Sequence, residues 1–444
     1  MPGTNDGGTS IATPANRERD SNNPYSVSKS SYYTLGLLTI VYSFNFIDRQ
    51  LLAILQESIK ADLALSDSQL GLLTGFAFAV FYVTAGISIA RWADQSNRRN
   101  IIALAVFVWS FMTALSGLAQ NYTHLLLARI GVGVGEAGGS PPSHSIISDI
   151  FPPHRRASAI GFYSMGVSFG ILFGFLFGGW LNEFFGWRVA FMVVGLPGIL
   201  LAALVRMTLK EPVRGQAENR QAASTAVPFS QIIALLWSRH SFRHMALGAA
   251  LNAFAGYSTA SWTASFMIRS HAMSTGVLGT WLALIIGLGG AISVFGGGLL
   301  ADKLAPRDKR WYVWLPAIAG FICVPFMAFV YLVDSSIVAL SIMIIPGLLS
   351  QIYLGNTIAT THGLVGLRMR AMSSAILFFI INIIGLGAGP FAVGFLSDYM
   401  EPGMGTESLR YAMLYLLPAV MFWSACHFYL ASRTIRADLQ AAPN

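Results

Sequence analysis

Apolar residues recur along this chain in twelve runs of about twenty residues or more, the length a helix needs to cross a hydrocarbon core of about 30 Å. They cover 32–55, 68–91, 100–119, 124–150, 156–181, 187–208, 242–269, 275–300, 311–332, 336–361, 370–398 and 410–432. Short polar loops separate them. The one long polar break, 209–241, includes EPVRGQAENRQAAS and reads as a solvated connector between two sets of six. The pattern predicts an all-α integral membrane fold of two pseudo-symmetric six-helix bundles. The expected domains are a disordered N-terminus over 1–30, bundles over 31–208 and 242–436, the connector over 209–241, and a tail over 437–444.

The two sets echo each other. ARWADQSNRR at 90–99 follows the second run and GLLADKLAPR at 298–307 follows the eighth, so Ala-Asp recurs at 93–94 and 301–302. GWLNE at 179–183 and GFLSD at 394–398 end the fifth and eleventh runs. The offsets, 208 and 215 residues, fit a duplicated six-helix unit, the usual basis of two rocking bundles around a midplane site.

Composition agrees with a membrane chain. It is 54% hydrophobic and 11% charged, against about 25% charged in soluble domains, and its mean hydropathy is +0.59. The net charge of +8 does not point to nucleic acid, because the basic residues sit in short loops without a stripe of interleaved aromatics. Of 28 Lys and Arg, only Lys60, Arg188, Arg269 and Arg410 fall on the side away from the termini. Arg49 and Arg129 lie within runs, which leaves 22 on the terminal side. That asymmetry predicts cytoplasmic termini in a multi-pass protein of the cell (inner or plasma) membrane. Residues 1–30 hold no apolar core, so no cleavable signal peptide is expected. Cys323 and Cys426 lie in apolar runs and read as core thiols. No His, Cys and carboxylate spacing suggests a metal. GVGEAG at 133–138 matches a dinucleotide fingerprint, but no strand precedes it and it lies in a span. Gly166, Gly170, Gly174 and Gly178 form a stripe suited to helix packing.

These residues resemble the major facilitator superfamily. Its loop signature, Gly-x-x-x-Asp-(Arg/Lys)-x-Gly-Arg-(Arg/Lys), is met at Asp94, Arg98 and Arg99, with departures at Ala90, Gln95 and Asn97. The second copy keeps Gly298, Asp302, Lys303 and Arg307. Within that superfamily, YSFNFIDRQLL in the first run and RIGVGVGEAGGSPPSHSIISDIFPPHRRASAIGFYSMGVSFG from 129 onward are similar to the Spinster branch. The resemblance implies transport of lysolipid or sphingoid phosphates.

Four ionisable side chains lie deep in runs: Asp48, Arg49, Arg129 and Glu136. Each costs about 2.5–3.5 kcal/mol near a helix centre on the insertion scale, so each must find a partner or face water. The choice is between structural pairing of helices and a cavity-facing site. Asp48 and Arg129 sit at similar depth, roughly 8–11 Å from the far end of their helices, and Glu136 about 10 Å deeper on nearly the same face as Arg129. Depth therefore predicts that Arg129 meets Asp48, with Glu136 left to water or Arg49.

The second set of runs has no interior charge and offers Asn252, Trp262, Gln351, Asn382, Tyr257, Tyr353 and Asn356. A cavity charged on one wall and polar-aromatic on the other suits an amphiphile with an ionic head. The expectation is a non-enzymatic, cofactor-free, monomeric secondary-active transporter. Asp48 and Glu136 are its proton sites, and Arg49, Arg129, Asn252, Tyr257, Tyr353 and Asn356 its substrate contacts. Asp94, Arg98, Arg99, Asp302, Lys303 and Arg307 form cytoplasmic latches. Alternatives are export of drugs, transport of small organic anions and, in another class, an integral-membrane lipid enzyme.

Overall fold

The computed structural model describes residues 28–215, 228–366 and 369–443, and every regular element among them is a helix. The expected disorder before residue 28 lies outside the described residues. The first helix, Lys29–Leu63, starts where the Ser28 side chain accepts the Ser31 N–H and stops at Ala64, whose φ of 51° ends the helical path.

Among the described residues, eight helical runs are long and apolar enough to cross a membrane. Two of them, His154–Thr208 and Met372–Ala431, each cover two of the predicted spans. The first turns at Gly186, whose φ of 80° a β-carbon would disfavour. The predicted span 124–150 is broken at 137–139 into Tyr122–Glu136 and Ser140–Ile150, each below spanning length. His240–His271 is long enough, but Asn252, Ser258, Thr259 and Ser261 lower its hydropathy. The connector is not wholly irregular. Phe229–Ser238 is a short helix because Ile232 and Leu236, one turn apart, are buried against the second half. The tail likewise holds the helix Ile435–Gln440, anchored where Asp438 accepts the Ser241 N–H at 2.8 Å.

Large apolar side chains cover much of the surface, Leu200 73% and Phe295 71% exposed among them, as a lipid-facing belt requires. The glycine stripe packs Pro153–Thr208 on the first helix. A β-carbon at Gly166 would stand 2.8 Å from the Thr39 carbonyl oxygen, and one at Gly178 would stand 2.7 Å from Ile54 Cγ2.

The core is divided in a way that matters for function. One apolar cluster joins both halves at the face away from the termini, here called distal; it includes Leu55, Phe175, Trp262 and Leu278. Toward the terminal face the clusters are largely those of single halves, one around Leu38, Trp109 and Tyr163, which takes in Leu386 and Tyr257 from the second half, the other around Phe242, Met245 and Phe428. The halves are thus cemented distally and parted at the terminal face. Three π-helical stretches, Leu72–Phe76, Ala283–Leu288 and Ile381–Ala388, lie in helices that form this seam. Such wide turns concentrate at functional positions.

Candidate functional site

The first helix places Asp48 and Arg49 on different sides, about 100° apart. Asp48 turns to the helices Arg98–Ser116 and Tyr122–Glu136. Arg129 Nη1 donates to Asp48 Oδ1 at 3.4 Å, and Thr113 Oγ1 bonds Asp48 Oδ2. Asp48 and Arg129 are each 2% exposed. Arg49 faces the other way, and its Nε donates to Glu136 Oε2 at 2.7 Å. The four charges therefore form two pairs that join the same two helices at different depths.

The surroundings of the pairs are aromatic. The Arg49 guanidinium lies 4.9 Å from the Phe46 ring centre, 4.7 Å from Phe78 and 5.0 Å from Tyr82. Cation–π contacts of this kind hold a guanidinium where water is scarce. Glu136 Oε1 and Arg129 Nε are buried without a hydrogen-bond partner. Arg129 and Arg49, the partner of Glu136, line a cavity of about 40 Å3 with Phe78, Thr74, Tyr257 and Ser261. It has room for water and none for a substrate.

Thr113 carries one hydroxyl proton and faces two acceptors, Asp48 Oδ2 and the Trp109 carbonyl oxygen at 2.8 Å. The hydroxyl donates to the Asp48 carboxylate, and it can turn its proton to Trp109 and accept from the acid once Asp48 takes up a proton, so it serves either state. Sequence reading passed over Thr113, since a lone threonine in an apolar run gives no signal of its partner. The aromatic box was missed for the same reason.

The second half contributes less than expected. Of its four candidates only Tyr257 lines the cavity. Asn252 Nδ2 contacts Met421 Sδ at 3.7 Å, and Asn356 Nδ2 donates to the Ile352 carbonyl at 3.1 Å. Tyr353 is buried against Phe428. These three pack or bond within their own bundle in this conformation.

The latch residues are equally uneven. Arg98 is buried and binds Ser145 at 2.8 Å and Asp149 in the first half, and Glu211 at 2.7 Å and the Pro212 carbonyl at 3.0 Å at the start of the connector. The Arg99 backbone N–H donates to Glu211 at 2.8 Å, while its side chain reaches only Asn100. The Asp94 side chain lies outside the described residues. Asp302, Lys303 and Arg307 are exposed. In their loop it is Asp308 that is engaged, by Arg310 and by Arg436 of the C-terminal helix at 2.6 Å. Among the described residues, no group of three or more side chains suited to a metal occurs.

At the distal face a single arginine crosses between the halves. Arg269 donates to both oxygens of Glu57, at 3.0 and 2.7 Å, and to both oxygens of Asp67, at 2.7 Å each. Lys60 adds a 2.6 Å bond to Asp67. Among the described residues, the hydrogen bonds and ion pairs that tie one half to the other lie toward this distal end.

The sequence matches the family model described as Major Facilitator Superfamily over residues 38–390. It is 31% identical over 414 residues to an MFS-type efflux pump of Mycolicibacterium smegmatis, covering 93% of this chain and 95% of that one. It is 24% identical to a sphingosine-1-phosphate transporter of Xenopus tropicalis over 92% of this chain and 84% of that one. In three dimensions it is similar to a bacterial homologue of the human lysosomal transporter Spinster, solved in an inward-facing, unoccupied conformation. That match has a TM-score of 0.81, 33% identity, and coverage of 93% of this chain and 99% of that chain.

Proposed function

The chain belongs to the major facilitator superfamily, in its Spinster-like branch, and from that premise we propose a proton-coupled transporter of an amphiphile with an anionic head, a lysolipid or sphingoid phosphate by class. It crosses the membrane twelve times in two six-helix bundles, with both termini cytoplasmic, and works by alternating access. The distal face is then the outside, and the parted terminal face opens inward.

The observation that carries this reading is the pair of buried acid–arginine contacts, Asp48 with Arg129 and Glu136 with Arg49. Two acids and two arginines balance. In a buried site an unbalanced charge costs several kcal/mol. An anionic head entering alone would leave the site one charge short. If a proton reaches Asp48 or Glu136 with it, the acid lets go of its arginine, the arginine takes the head group, and the site stays neutral. Each negative charge on the substrate thus brings about one proton. Thr113 serves Asp48 with or without its proton, and the unfilled polar atoms Arg129 Nε and Glu136 Oε1 mark where water or the head group bonds. Phe46, Phe78, Tyr82 and Tyr257 supply the apolar wall for the chain.

The test is a substrate panel in proteoliposomes with and without a pH gradient. Lysolipids or sphingoid phosphates should be moved, and faster with the gradient. The likeness to an efflux pump over nearly the whole chain favours a second reading, export of amphiphilic drugs. Gradient-driven drug movement with no competition by lysolipids selects that reading instead.

A further inference from the structure

The echo of GWLNE and GFLSD has a structural counterpart. Asp398 is in the second half, yet it accepts the backbone N–H groups of Asp67 at 2.9 Å and Ser68 at 2.7 Å, at the start of a helix in the first half. Glu183 is in the first half, yet it accepts the backbone N–H of Gly276 at 2.8 Å, at the start of the helix Thr275–Leu282 in the second half. Each acid thus satisfies orphan donors at a helix start that belongs to the opposite bundle.

Four residues before each acid stands a glycine. A β-carbon on Gly394 would collide with the Asp67 carbonyl oxygen, and one on Gly179 would collide with the Thr275 carbonyl oxygen. The next contacts down the seam also match. A β-carbon on Gly71 would sit 2.5 Å from the Pro390 carbonyl oxygen, and one on Gly279 would collide with that of Phe175. Every member has its counterpart at a repeat offset: 68 with 276, 67 with 275 and 71 with 279 at 208 residues; 183 with 398, 179 with 394 and 175 with 390 at 215. The clasp is built twice, in mirrored directions. It joins helices of different halves, so rocking the halves apart at this face must break it.

We propose that Glu183 and Asp398 are gating residues, each closing the distal mouth by capping a helix of the opposite half, with Gly179 and Gly394 allowing the approach. The two copies are unequal. Asp67, beside the Asp398 copy, is also held by Arg269, Lys60 and Ser397, and Asp398 is half-buried while Glu183 is exposed. The Asp398 copy is the firmer. The inference rests on the alternating-access part of the proposed function and not on its substrate.

The experiment uses the full chain in nanodiscs, without substrate, with paired spin labels at Leu118 and Ile337. Both positions are exposed at the distal face of opposite halves, Leu118 in the turn after Arg98–Ser116 and Ile337 in the first turn of the helix Ser336–Leu349. Asp398→Ala should shift the open-to-closed ratio about tenfold toward the longer distance, the size of a lost helix cap. Glu183→Ala should shift it less. Asp398→Asn keeps a carbonyl acceptor and should fall between wild type and the alanine variant. Gly394→Ala acts as a wedge and should give mainly the long distance. The proposal is overturned if Asp398→Ala and Gly394→Ala, both monodisperse, keep the wild-type distribution. It is also overturned if Asp398→Asn shifts as far as Asp398→Ala, because then no acceptor role exists. A transporter of a different substrate would still show these shifts, so failure here and failure of the substrate reading are separable.

Discussion

Arg49 and Glu136 meet at 2.7 Å from two different helices, with the arginine set among three aromatic rings. The adjacent Asp48 turns away to Arg129. Two neighbouring charges in an apolar span thus serve two partners, and each pair can be opened without breaking the other.

That independence makes the pairs separable by substitution. Glu136→Gln keeps a hydrogen-bond acceptor for Arg49 but cannot exchange a proton. It should fold and still exchange substrate across the membrane, while its acceleration by a pH gradient falls about tenfold or more, within the range of general acid–base effects. Glu136→Ala removes the acceptor as well and should cost about 3–5 kcal/mol of stability, as when one partner of a buried pair is lost. Thermal unfolding of the two variants in one detergent checks the contrast.

Thr113 is a sharper probe of Asp48 because it carries no charge. Thr113→Val leaves Asp48 Oδ2 without its hydroxyl partner and should destabilise the protein by about 1–3 kcal/mol, the cost of one unsatisfied buried polar group. Thr113→Ser should recover most of that. Equal stabilities for the valine and serine variants in denaturant titrations would remove the Thr113–Asp48 bond from the account.

How much of this could be read in the sequence depends on what each residue leaves there. Helix depth was enough to match Asp48 with Arg129, because charges in apolar runs are rare and their distances along a helix are fixed. The six-fold grouping and the offsets of 208 and 215 were equally plain. Arg269 gave no such sign: it counted as one of four basic residues away from the termini, and its carboxylates come from residues over 200 positions away. Arg98 and Arg99 look alike in the loop, yet only Arg98 points inward to Asp149 and Glu211. The helix in the connector was passed over because its apolar stretch, FSQIIALLWS at 229–238, is only ten residues long, too short to count as a span.

The Arg98 contrast gives a third prediction. Arg98→Ala strands the carboxylates of Asp149 and Glu211 and should destabilise by about 3–5 kcal/mol. Arg99→Ala should cost about 0.5 kcal/mol or less, as surface changes do. The two melting curves, run side by side, decide it.

Asp308 sets the acid limit for docking of the C-terminal helix. Burial pushes its pKa up, but the Arg310 backbone N–H, Arg436 and the Arg310 side chain outweigh that and hold it at about 2, below its usual 3.8. A carboxylate held low in the folded state stabilises above its unfolded value and loses that contribution as pH falls through the folded one. The helix Ile435–Gln440 should therefore stay docked at pH 5 and loosen only between about 4 and 2. Arg436→Ala removes the contact between Asp308 and this helix, so the helix should be looser at pH 5 and lose the step between about 4 and 2. A fluorophore at Gln440, followed through an acid titration, reports both.

The central claim is that the buried carboxylates couple protons to the movement of an anionic amphiphile. It is tested most directly by uptake of a lysolipid or sphingoid phosphate into proteoliposomes at equal and unequal pH, for wild type and Asp48→Asn. The account predicts that the gradient accelerates wild type, and that Asp48→Asn exchanges substrate at equal pH but gains nothing from the gradient. An Asp48→Asn protein that responds to the gradient as wild type does would contradict it.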